Sequence, residues 1–147
     1  MKITQGLVAS ISMAGITLPL SRGFILNGST GTSNGYNTLY RNSVPYQVPT
    51  GKKLVVVATR VLASAGEVMY VGYGDTTSIT SAAPTNAVTQ SLGALNLIYI
   101  TGSANGAGGE NEVMINLEVP AGKYPYMLKG ASANQLYASF LCYLVDV

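Results

Sequence analysis

The chain has 147 residues, 48% of them hydrophobic, with eight Lys or Arg, six Asp or Glu and a formal net charge of +2; one domain of this length buries roughly 68–70% of its unfolded surface, so a second core is not expected. Charged residues make up 10%, where soluble domains carry about 25%, and the scattered cations offer no stripe for a phosphate backbone, which argues against nucleic acid. The lack of histidine excludes Ser-His-Asp and Cys-His catalysis and histidine metal sites, and the single cysteine excludes an intrachain disulfide and cysteine-only zinc.

Residues 1–23, MKITQGLVASISMAGITLPLSRG, mix apolar side chains with Gly and Ser at no clean period of 2 or 3.6. Gln5, Ser10 and Ser12 interrupt the apolar run and no small-x-small cleavage pattern follows, so a secretion signal is not expected. No stretch approaches the eighteen or so apolar residues of a membrane helix. The segment reads as an arm that needs a surface to lie on, with Ile3, Leu7, Val8, Ile11, Ile16, Leu18 and Leu20 as its contacts. A neighbouring subunit is the expected surface, and a strand of the chain's own sandwich is the alternative.

Residues 24–147 read as strands cut by turn chemistry. The predicted strands are Arg22–Leu26, Tyr36–Val48, Lys53–Ala63, Glu67–Gly74, Leu95–Thr101, Glu112–Val119, Tyr124–Lys129 and Leu136–Val147. Asn-Gly pairs at Asn27-Gly28, Asn34-Gly35 and Asn105-Gly106 can each supply the positive φ of a tight turn. Two pentapeptides, VPTGK from Val48 and VPAGK from Val119, read as equivalent turns in two halves of a sandwich, with Pro at the second turn position and Gly completing it. Asp75 to Leu92 is a long polar connection of the Greek-key kind, and Thr101 to Asn111 a glycine-rich hairpin tip. The fold class is therefore all-β, an antiparallel β-sandwich of jelly-roll type with about eight strands and an extended N-terminal arm.

Two strands are apolar on both sides. In KLVVVATRVLA, Leu54, Val56, Ala58, Arg60 and Leu62 share one face and Val55, Val57, Thr59 and Val61 the other. In the last strand Leu136, Ala138, Phe140, Cys142 and Leu144 face one way and Tyr137, Ser139, Leu141, Tyr143 and Val145 the other. A sandwich strand buries one face, so the second needs a cover. The expected cover is another copy of the chain, a homotrimer first, through Val55, Val57, Val61, Tyr137, Leu141, Tyr143 and Val145; a loop or the arm of the same chain is the alternative.

Chemistry is sparse. Glu110 and Glu112 would share a strand face roughly 7 Å apart, within reach of a paired-carboxylate geometry, but they flank a glycine-rich turn and read as a solvated shoulder. VGYGDTT, from Val71, lacks the pattern of a phosphate or dinucleotide loop, and Asp75 is expected to bond local backbone amides. NGS at Asn27 matches a glycosylation acceptor but also a turn. Cys142 lies in an apolar run and reads as a small buried hydrophobe. No cofactor or metal is expected. Ten tyrosines without a tryptophan favour interface packing over a sugar platform.

The turn VPTGKK, the apolar strand after it, the GYGD strand end, the VPAGKY turn and the long closing strand resemble the small β-sandwich proteins of tailed-phage virions, capsid decoration (cement) proteins above all. The resemblance spans Tyr36 to Val147 and implies a non-enzymatic trimer on the outer capsid surface that staples neighbouring major capsid subunits, with residues 1–23 as the arm. Two other readings fit the same residues. One is a fibre or binding module for a host receptor or glycan, acting through loops 75–92 and 101–111. The other is a capsid, spike or filament subunit.

Overall fold

Residues rich in Val, Ile, Leu and Tyr, punctuated by Gly and Pro, build strands and no helix among the residues that the computed structural model describes, 9–29, 36–63, 68–75, 95–99, 109–129 and 136–147. In chain order the strands are β1 (Ser10–Met13), β2 (Ile16–Pro19), β3 (Gly23–Ser29), β4 (Tyr36–Thr38), β5 (Tyr40–Arg41), β6 (Val44–Pro45), β7 (Lys52–Ala63), β8 (Val68–Gly74), β9 (Leu95–Tyr99), β10 (Gly109–Val119), β11 (Tyr124–Lys129) and β12 (Tyr137–Asp146). A six-stranded sheet, β10-β7-β12-β3-β5-β6, faces a four-stranded sheet, β4-β11-β8-β9, and β1 and β2 form a separate hairpin. All pairings are antiparallel. The all-β sandwich expected from the sequence is the fold.

Three local differences from the sequence reading have simple causes. The N-terminal segment contains the β1–β2 hairpin, closed by Ala14 (φ 52) and Gly15 (φ 80). Two adjacent positive φ values make the primed turn that matches strand twist. The predicted strand over Tyr36–Val48 is instead β4, β5 and β6, because Asn42 (φ 51) and Ser43 (φ 66) form a second such turn; Asn-Ser is a weaker turn signal than Asn-Gly. Asn27-Gly28, by contrast, is not a turn but lies within β3, toward its end. A Cβ on Gly28 would stand 2.6 Å from Met127 Sδ and 2.7 Å from a Leu39 methyl, so this glycine serves close packing between the sheets.

The core fills the space between the two sheets. Leu26, Leu54, Val56, Leu117, Val119, Phe140 and Cys142 of the six-stranded sheet meet Met69, Val71 and Met127 of the other, all of them buried. One irregularity decides which residues face inward. In β7, Ala58 pairs with Leu141 and Val56 with Cys142, which leaves Val57 as an extra residue. This bulge flips the alternation of the strand beyond it. Leu54 and Val56 therefore point into the core, but so does Val61, while Ala58 turns outward. β10 takes a further residue at the same level, since Met114 pairs with Ala58 and Leu117 with Val56. The three strands thus lengthen progressively from β12 to β10 and the sheet bends there.

Both Pro-x-Gly turns lie at one end of the sandwich. Lys52 N donates to Pro49 O and Lys123 N to Pro120 O, each at 3.2 Å. Pro is therefore the first turn residue rather than the second, and Gly51 (φ 78) and Gly122 (φ 79) take the third position, where only a positive φ fits. The turns are laced together: Val48 N donates to Lys123 O (3.0 Å) and Gly122 N to Val48 O (2.8 Å).

Candidate functional site

The outer face of the six-stranded sheet divides into three zones. Its middle is sealed by the β1–β2 hairpin. Met13 is buried with Ala58 and Leu141, and Ile11, Ile16, Leu18, Ile25 and Val57 pack around them. Val57 and Ala58 are neighbours in sequence, and both reach this side because of the bulge. Gly23 sits under β2, where a Cβ would meet Leu18 Cβ at 2.7 Å. The hairpin tip is tied to the edge strand by a hydrogen bond from Ala14 N to Glu112 Oε2 (3.0 Å). Behind the hairpin, Arg22 N donates to Pro19 O (2.9 Å), so the chain turns tightly from β2 into β3.

Near the Pro-x-Gly turns lie three ion pairs. Lys52 pairs with Asp146 and Lys123 with Asp75, and Lys53 lies 3.2 Å from Glu118. Asp75 thus pairs with a lysine across the fold. The pairs are partly exposed, and each contributes between about 0 and 1 kcal/mol. Arg22 stacks 4.5 Å from the ring centroid of Tyr143 on the same face.

The far zone is open and mostly uncharged. Tyr137 (49% exposed) and Leu62 (49%) stand side by side as directly paired residues of β12 and β7. Asn27 of β3 lies between Ser139 and Tyr40 (42% exposed). Ser139 Oγ is hydrogen-bonded to Asn27 Oδ1 at 2.9 Å. Two shallow concavities meet at Tyr137. One, of about 440 Å³, is lined by Asn27, Arg60, Leu62 and Ser139; the other, of about 690 Å³, by Ser29, Asn37, Tyr40, Asn42 and Ser43.

The sequence-derived contacts scatter over these zones. Ile3, Leu7 and Val8 lie outside the described residues. Ile11, Ile16 and Leu18 pack on the chain's own sheet, over Val57 and Leu141, and Leu20 is exposed. Val61 belongs to the inner core, because the bulge breaks the alternation that grouped it with Val55 and Val57. Val55 is buried, Tyr143 lies under Arg22 and Val145 is half-buried. Tyr137 alone of the predicted subunit contacts is exposed by half. Tyr40 and Asn27 are not among the predicted contacts, and the run Phe24-Ile25-Leu26 before Asn27, apolar at three successive positions, gives no alternation from which the outward direction of Asn27 could be read.

Reactive chemistry is thin in the described part. No group of three or more His, Cys, Asp or Glu residues that could hold a metal ion occurs among the described residues. Glu112 accepts the Ala14 amide hydrogen, which gives it a structural task. Burial pushes the Cys142 thiol well above its ordinary pKa, so it packs as a hydrophobe and is no nucleophile at neutral pH. No described helix is long and apolar enough to cross a membrane. Loops 75–92 and 101–111 lie almost wholly outside the described residues.

No protein family and no curated protein matches the sequence. Among solved structures, the chain is similar to one from the acidic stable capsid structure of Helicobacter pylori bacteriophage KHP30. The match covers 86% of this chain and 93% of that one, at 10% identity and a TM-score of 0.47. At that identity no residue of the surface is carried over from it.

Proposed function

We propose that the chain is a non-enzymatic structural protein of a virion, a capsid decoration protein that trimerises and braces neighbouring major capsid subunits from outside. The observation that carries the assembly is that β10 and β6 are the edge strands of the six-stranded sheet among the described residues. β10, eleven residues long, pairs with β7 alone, and β6 with β5 alone, among the described residues. Met114 on β10 is 67% exposed and Val44 on β6 62%. An open edge of that length invites another chain unless charge or a cover blocks it; of the three carboxylates on β10, Glu112 is engaged by the Ala14 amide and Glu118 by Lys53. The two edges are opposite ends of one sheet, so β10 of one copy against β6 of the next is a head-to-tail contact, which a threefold axis closes. The virion setting comes from the resemblance of VPTGKK, GYGD and VPAGKY to phage decoration proteins.

Light scattering tests the assembly: the purified chain should have the mass of three copies, and Met114→Glu should reduce it to one. Co-sedimentation tests the role: the trimer should pellet with capsids of the source virus that have been stripped of it. A wild-type monomer that leaves such capsids bare contradicts the proposal.

A further inference from the structure

We infer that the open zone beside Tyr137 is a binding groove for a neutral oligosaccharide. Two half-exposed tyrosine rings stand on the same face of the sheet, Tyr137 on β12 and Tyr40 on β5, with β3 between them. Tyr137 is level with Ser29 and Tyr40 with Asn27. Two strand spacings and a two-residue offset separate their backbones by about 12 Å, so a short chain of sugar rings, rather than one, would touch both.

The lining of the larger concavity, which draws on β3, the β5–β6 turn and β4 of the other sheet, has the matching chemistry. Asn27, Asn37 and Asn42 offer amide donors and acceptors, and Ser29 and Ser43 offer hydroxyls that do both. Adjacent sugar hydroxyls need such mixed partners, while the C–H face of a pyranose needs a flat apolar ring with a wet rim, which tyrosine supplies. Asn27 is held in place by its hydrogen bond with Ser139 Oγ, and a fixed amide loses less entropy on binding.

Charge narrows the ligand class. Arg60 is the one charged residue lining either concavity among the described residues, and it stands on the Leu62 side of Tyr137. The larger concavity has none among its described lining residues, so a phosphorylated or polyanionic ligand would find no counter-charge from them. An apolar peptide is equally mismatched, because amides and hydroxyls would be left unpaired beneath it. One wall of the groove is the β5–β6 turn, next to the edge that the trimer would use, so the test reads glycan binding and oligomer mass separately.

The test is a glycan array carrying neutral and acidic oligosaccharides, probed with the labelled full-length chain. The chain should retain at least one neutral oligosaccharide. Tyr137→Ala and Tyr40→Ala should each weaken that binding about tenfold or more, while Leu20→Ser, exposed but remote, should leave it unchanged. Both tyrosines are half-exposed, so the variants should keep the wild-type circular dichroism and melting temperature. Retention of no neutral glycan overturns the inference. So does binding that survives both tyrosine substitutions, or binding confined to acidic glycans. An oligomer that dissociates on Tyr137→Ala, with no glycan retained, assigns the patch to contact between copies and equally overturns it.

Discussion

The two faces of the six-stranded sheet are covered by different means. The inner face meets a second sheet over a wide apolar layer, from Leu54 at one end to Val61 at the other. The outer face meets a hairpin of only ten residues, Ser10 to Pro19, which covers the middle; among the described residues Arg22 stacks on Tyr143 toward one end, and the other end, around Asn27 and Tyr137, is open. Cover on the inner side was bound to exist, because its residues are mostly apolar, with Leu26, Leu54 and Phe140 among them. Cover on the outer side follows the side chains: among the described residues the hairpin packs over Ile25, Val57, Ala58 and Leu141 and does not extend to Asn27 and Ser139. The bulge at Val57 is what divides the residues of β7 between the two faces.

The contrast can be broken most severely from the inner side. Phe140 is fully buried at the centre of the core, and Phe140→Ala should cost about 3–5 kcal/mol in chemical denaturation. Cys142 probes the same layer without substitution. Its raised pKa means that the unfolded chain releases a proton that the native chain keeps, so stability should fall as pH rises through the ordinary thiol range. Alkylation by iodoacetamide should proceed at the rate of global unfolding. Fast labelling of the folded protein would show that the inner layer opens locally.

On the outer side the expected effects are smaller. Gly23→Val inserts a side chain beneath Leu18 and should cost about 1–3 kcal/mol, with faster hydrogen exchange in β1 and β2 and unchanged exchange in the centre of β12. Uniform loss of protection would mean that the hairpin and the sandwich form one cooperative unit. Glu112→Ala removes the acceptor of the Ala14 amide. It should cost about 1 kcal/mol or less, since water can replace the carboxylate. In the open zone, Ser139→Ala loses a hydrogen bond between part-exposed groups and should lower the unfolding free energy least of the four, by about 0.5 kcal/mol.

The sequence showed more of the fold than of the surface. Alternation and Gly-Pro punctuation located most of the strands of the sandwich within a few residues, because burial on one face leaves a period-two record. The same record failed at Val61. A bulge is one extra residue in a run of valines, and nothing in VVVATRV marks which of them is extra. The hairpin was hidden for another reason: Ala14 in a left-handed conformation is not a residue that announces a primed turn. The two-sided character of β7 and β12 did show that the outer face needs a cover, and it also admitted the chain's own arm as that cover. The open zone was hardly legible, since Tyr40, Asn27 and Tyr137 lie far apart in sequence and meet only through the β12-β3-β5 order.

The central claim is that β1 and β2 seal the sheet of their own chain. Hydrogen exchange of the backbone amides of Ser10–Pro19, followed over a wide range of protein concentration, tests it most directly. A hairpin docked on its own sheet should keep the same protection at every concentration, even where light scattering shows the oligomer dissociating. Protection that disappears on dilution, in step with dissociation, would place the hairpin on a neighbouring copy and contradict the claim.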